Sequence, residues 1–182
     1  MISDLKNLLR TPIAASEIAG LIEQYNRSGI NDSLSPPATT IEIASTCEAV
    51  VCSNMRRSQE SAAILGKNRI HHIDPIFREA DLPYHHWLRP KLSVFTWFLL
   101  FRGLWFLGYS KNGESIVQAK QRAQSGSQLL IQFAQQHGSV LFVGHGVINN
   151  LIAKALLNSG WQGPQKPGVQ YWDCSVYSKQ AL

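Results

Sequence analysis

The sequence holds no Cys-x-x-Cys pair and no His-Glu-x-x-His segment, so neither a zinc ribbon nor a helical metalloprotease site is written into it. Its three cysteines, Cys47, Cys52 and Cys174, are few and odd in number. That argues against a disulfide framework and for reduced thiols in a cytoplasmic setting. The start, "MISDLKNLLR", lacks a basic stretch followed by an apolar one, so no secretory signal is expected. No repeat, low-complexity tract or linker divides the 182 residues, and a single domain over 1–182 is expected. Long basic tracts are missing as well. A net charge of +5 and a pI near 9.3 draw anions only mildly, no nucleic-acid motif accompanies them, and a small phosphorylated molecule explains them equally well. The most apolar run, "VFTWFLLFRGLWFLGY" at 94–109, is shorter than the ~20 residues of a membrane span and carries Arg102 inside it. It reads as a buried helix or an aromatic lid, and no membrane partner is expected.

What is present is an alternation of strand and helix patterns. Ile18, Leu21, Ile22 and Tyr25 recur at helical spacing after a candidate N-cap at Ser16, with Gly29 where a C-terminal cap would lie. "SPPATT" at 35–40 reads as a loop. "EAVVCS" at 48–53 is a short apolar run ending in a polar residue, followed by a helical pattern closed by Gly66. "IHHID" at 70–74 is a second strand, ended by Pro75. Residues 114–137 form the longest helix, with Ile116, Ala119, Ala123, Leu130, Phe133 and Ala134 inward and Gly138 as its stop. "SVLFVGH" is then a buried strand, 147–157 a helix, and "VQYWDCSVY" at 169–177 a last edge strand. Strands separated by helices predict an α/β fold, a three-layer sandwich whose mostly parallel central sheet carries helices on both faces. Ligands of such sheets bind beyond the strands' carboxyl ends, which puts Ser53 and Gly144–Gly146 on one rim.

Four groups on or near that rim could carry chemistry. Arg56 and Arg57 open a helix just past a strand end, where a guanidinium can hold two phosphate oxygens. His145 stands between two glycines that allow close backbone approach, just before a helix N-terminus. Glu79, in "FREADLPYHHW", lies beside aromatic residues, and a carboxyl desolvated there can hold a proton and act as a general acid. His85, His86 and Trp87 are candidates to line a pocket near Glu79. Adjacent histidines on a strand face opposite ways, so His71 and His72 cannot easily share an ion and no metal site is expected.

The segment "CSNMRRSQESAAILG", an aromatic-x-Glu and the "VGHG" strand together resemble the histidine phosphatase superfamily, the phosphoglycerate-mutase-like proteins, over residues from about 48 to 157. Asn54 and Met55 depart from the usual aspartate and leucine. The resemblance implies phosphomonoester hydrolysis or transfer through a phosphohistidine, with no metal or other cofactor. Arg57 and His145 would bind the phosphoryl oxygens, and Glu79 would protonate the leaving oxygen. It also implies a first strand ending in Arg-His-Gly, lying beside the strand of His145 and supplying the attacking histidine. That tripeptide is absent, and the first histidine of the chain is His71. The favoured explanation is a natural chain that begins further upstream. The alternatives are that the N-terminal segment or a partner chain fills the place, or that the fold has degenerated into a non-catalytic module binding a phosphate ligand or a protein. Substrate identity and self-association into a homodimer are left open.

Overall fold

The computed structural model of the chain describes residues 9–30 and 35–179. Contacts group the chain into two units, one of residues 1–27 with 80–119 and one of residues 28–79 with 120–182.

The larger unit holds the parallel sheet. Strands β2 (Ala49–Cys52), β3 (His72–Ile73) and β5 (Val140–Val143) lie in the order β3-β2-β5, all parallel. The central strand β2 is buried along its whole length, as a strand flanked on both edges and both faces must be. Register pairs Val50 with Leu141 and Val51 with Phe142, so alternate residues of the two strands share a face. On one face Val50, Cys52 and Leu141 pack with Ala44 of helix α2 (Ala38–Ser45) and with Ala62 of helix α3 (Arg56–Ile64) and Leu65 just beyond it. On the other, the Phe142 ring lies 4.8 Å from Phe77. There Gly126 of helix α5 (Ile116–His137) sits so close to Phe77 and to Ile152 of helix α6 (Gly146–Asn158) that only a hydrogen fits comfortably. A sheet with helices on both faces is the α/β sandwich that the sequence predicts.

The smaller unit is a two-stranded antiparallel pair, β1 (Pro12–Ile13) with β4 (Leu92–Ser93), and two helices, α1 (Ile18–Arg27) and α4 (Val94–Phe106). Its core is Ile13, Ala15, Ile18, Val94, Trp97 and Phe101, and the Trp97 indole N–H donates to the Ile13 carbonyl at 2.9 Å. Ser93 caps α4, its Oγ accepting from the Thr96 N–H at 3.1 Å. Among the described residues, no helix is long and apolar enough to cross a membrane.

Several expectations are corrected. Ser16 is not the cap; the chain enters a short 3-10 turn after Ala14, whose N–H donates to Glu17 at 2.9 Å, and Tyr25 is exposed. Helix α2 starts at Ala38, so the loop at 35–40 is shorter than read; Pro37 is rigid but well suited to precede a helix. Strand β5 is only half-buried, because among the described residues no strand pairs with its other edge. Residues 169–177 do not form a strand. Trp172 takes φ +68° and the Asp173 carboxylate accepts the Gln170 N–H at 2.7 Å, which turns the chain, leaving only an isolated bridge between Gln162 and Ser178.

Candidate active site

The carboxyl ends of β2 and β5 are tied together by one hydroxyl. Ser58, in the first turns of α3, accepts the Ser53 N–H at 3.1 Å and donates to the Val143 carbonyl at 2.5 Å. Both serines are buried. Ser53 Oγ in turn accepts the Met55 N–H at 3.2 Å and lies 2.6 Å from His145 Nε2. Two strand ends, one helix start and one imidazole are thereby locked into a single hydrogen-bonded unit.

His145 is the residue at which β5 turns into α6. Its carbonyl accepts the Asn149 N–H at 2.8 Å, and its own N–H donates to Asn149 Oδ1 at 3.0 Å. A Cβ at Gly144 would fall on Asn149 Oδ1 and on the Phe142 ring, so a larger residue there would displace the Asn149 brace. The imidazole is buried, which disfavours its charged form, and the guanidinium groups of Arg57 and Arg122 add to the effect. Together they lower its pKa to about 4. At neutral pH His145 is therefore an uncharged imidazole in a field of positive charge.

The positive end of α6 is occupied by Glu79. Its carboxylate accepts the Val147 N–H at 3.1 and 3.2 Å and the Ile148 N–H at 3.1 Å. These are N–H groups that the first turn of a helix leaves without intrahelical partners. Arg122, on α5, holds the strand of chain leading to Glu79, donating to the Ile76 carbonyl at 2.6 Å and to that of Arg78 at 2.9 Å. Replacing Glu79 by Ala should cost about 1–2 kcal/mol of stability through loss of this cap, measured by urea denaturation, and Glu79→Gln should cost less. Equal stabilities of the wild type and Glu79→Ala would count against the capping role.

The structure thus brings Arg57, Glu79 and His145 into one unit, around the end of β5 and the start of α6. Arg56 does not join them; it pairs with Glu60 at 2.5 Å on the exposed side of α3. His85, His86 and Trp87 belong to the smaller unit. There His85 stacks on Trp87 at 4.3 Å, and His86 meets Tyr84 edge-on at 5.6 Å. Among the described residues no group of three or more His, Cys, Asp or Glu side chains could hold a metal ion. Sequence reasoning missed Ser53 and Ser58 as linking hydroxyls, Asn149 as the brace of His145, and Arg122 as a second cation. Asn149 carried a legible signal, four residues after His145 across a helix start. Arg122 carried none, being one polar residue among several on a long helix.

The adjacent ends of β2 and β5 thus carry a buried histidine bonded to Ser53, with the charges of Arg57 and Arg122 acting on it, in an α/β protein. A family model described as the histidine phosphatase superfamily (branch 1) matches residues 42–180, and the chain belongs to that superfamily. Among solved structures, a functionally characterised open reading frame product of Mycobacterium tuberculosis is 19% identical. The similarity covers 96% of this chain and 95% of that one, with a TM-score of 0.50. A second protein, mycobacterial hydrolase 1, is 19% identical over 76% of this chain and 83% of its own, with a TM-score of 0.51. Both share the fold. No curated protein matches the sequence at a significant level.

Proposed function

We propose that the chain binds the phosphoryl group of a small phosphomonoester, or free phosphate, at the ends of β2 and β5. The observation that carries this reading is the buried His145 at the start of α6, bonded to Ser53 and flanked by Arg57 and Arg122. A dianion there gains from both guanidinium charges and draws a proton onto His145, reversing the depression that burial and the arginines impose. Glu79 would serve as proton donor to a leaving oxygen once substrate has displaced its carboxylate from α6 and the carboxylate has taken up a proton from solvent. The three free cysteines support a reducing, cytoplasmic setting.

Hydrolysis through a phosphohistidine further needs an attacking histidine, and no Arg-His-Gly occurs in the 182 residues. The edge of β5 that no described strand pairs with is where the superfamily resemblance puts that strand. Binding without turnover is therefore the activity assigned to this polypeptide by itself, and phosphomonoester hydrolysis the activity expected once such a strand is supplied.

Inorganic phosphate at ten times its Kd should raise the melting temperature by about 3–6 °C, and Arg57→Ala should remove most of that rise. Incubation with an aryl phosphate should leave neither free phenol nor an acid-labile, base-stable phosphoryl group on the protein. An unchanged melting temperature in phosphate would sink the binding site, and a trapped phosphohistidine would overturn the assignment of binding without turnover.

A further inference from the structure

Arg102 is the one charged residue of helix α4, yet among the described residues only one side of the helix is fully buried. At roughly 100° per residue, Val94, Trp97, Phe101 and Trp105 fall on one narrow arc, and all four are buried. The opposite arc carries Phe95, Thr96, Leu99, Leu100, Gly103 and Phe106, with no charge among them. Phe95 is 59% exposed, Leu99 65% and Phe106 58%, and Leu107, just past the helix, is 86% exposed. Large apolar side chains gathered in this way on a water-facing helix are uncommon and mark an interaction surface.

The charge around this face selects the partner. From Leu82 to Gly113 there is no acidic residue, while Arg89, Lys91, Arg102 and Lys111 are cationic. Arg89 and Lys91 are exposed. Lys111 lies 3.3 Å from His85, whose ring stacks on Trp87 beside the buried arc, and Arg102 is occupied by the Ala80 and Asp81 carbonyls and lies over the Trp105 ring. A second copy of the chain would bring the same cations against themselves with no carboxylate from this segment to answer them. A protein groove would satisfy the apolar residues but gives no reason for the one-signed rim. An apolar helix face bordered by lysine and arginine, with an aromatic residue at each end, has the composition of a helix lying in the plane of a lipid interface. Such a helix need not be long enough to cross.

We propose that the outward face of α4 docks on an anionic lipid surface, with Phe95, Leu99, Leu100 and Phe106 entering the headgroup boundary and Arg89 and Lys91, just ahead of the helix, facing the lipid phosphates. This site is separate from the histidine-centred one and does not depend on its assignment.

Co-sedimentation with vesicles of equal parts phosphatidylcholine and phosphatidylglycerol tests it, with pure phosphatidylcholine vesicles as the uncharged arm. The wild type should pellet with the anionic vesicles, at least tenfold less with the neutral ones, and less as salt is raised. Leu99→Glu/Phe106→Glu changes two exposed side chains, so its far-ultraviolet circular dichroism should match the wild type while vesicle binding is lost. Lys91→Glu should weaken binding several-fold and leave Trp97 buried by fluorescence. Wild type remaining in the supernatant, or the folded double variant pelleting as the wild type does, would overturn the proposal. So would sedimentation equilibrium showing a wild-type dimer that the double variant splits, together with no vesicle binding, because the face would then belong to a second copy.

Discussion

Acidification from pH 6.5 to pH 4 is expected to remove on the order of 3 kcal/mol of folding stability through His145 alone. The folded-state pKa is about 4, against an ordinary value of 6.5. Above 6.5 neither the folded nor the unfolded chain holds the proton, so the residue contributes nothing to the pH dependence. Between the two values the unfolded chain binds the proton and the folded chain does not, so stability falls steadily as pH falls through that window. Below 4 both forms are protonated and the loss is complete. Burial is the main cause, and the Arg57 and Arg122 charges add to it. Urea denaturation of the wild type and of His145→Gln across this window isolates the effect, because carboxylates titrate alike in both. The difference between the two proteins should shift by on the order of 3 kcal/mol from neutral to acid. A parallel decline in both proteins would show that His145 is not held neutral. Phosphate bound beside His145 should oppose the loss, since it stabilises the protonated ring.

Ser58→Ala should destabilise the protein by about 2–4 kcal/mol, more than its size suggests. The substitution removes one hydroxyl but strands two backbone groups, the buried Ser53 N–H and the Val143 carbonyl, which have that hydroxyl as partner. Each unpaired buried group costs about 1–3 kcal/mol, and half-burial of Val143 keeps the sum below the full value. Ser127→Ala is the internal comparison. That serine is equally buried, yet its hydroxyl only returns to the Gln124 carbonyl on its own helix, so its loss should cost under about 1 kcal/mol. Similar costs for the two variants, by the same denaturation measurement, would remove Ser58 from its linking role. Because Ser53 is placed by Ser58 and in turn meets His145, phosphate affinity should fall along with stability in Ser58→Ala.

Much of this architecture was legible in the residues. Gly66 and Gly138 stop their helices at φ +78° and +81°, where only glycine is unstrained. "AVVC" and "VLFV" are short apolar runs between helical patterns and read as parallel strands, and "VGHG" announces a histidine at a helix mouth. These are local matters, decided by cap chemistry and by the period of the hydrophobic pattern over a few residues. "VQYWDCSVY" shows the limit of that reasoning. Its alternation suits a strand, but no neighbouring strand takes it, and instead the Thr40 hydroxyl donates to the Trp172 carbonyl at 2.9 Å while the chain turns.

The partners of each chemical group were a different matter. The sequence by itself determined the α/β alternation, the placing of His145 before α6 and of Arg57 after β2, and the absence of an Arg-His-Gly strand from these residues. Only the tertiary structure decided that Arg122 supplies the second charge, that the Glu79 carboxylate caps the start of α6, and which side of α4 is left to solvent. The physical reason is range. Caps and periodicity act within a few residues, whereas Ser53 meets His145 only because β2 and β5 pair in one register, and a helix with apolar residues on every side carries no mark of its inner face until the core has chosen it.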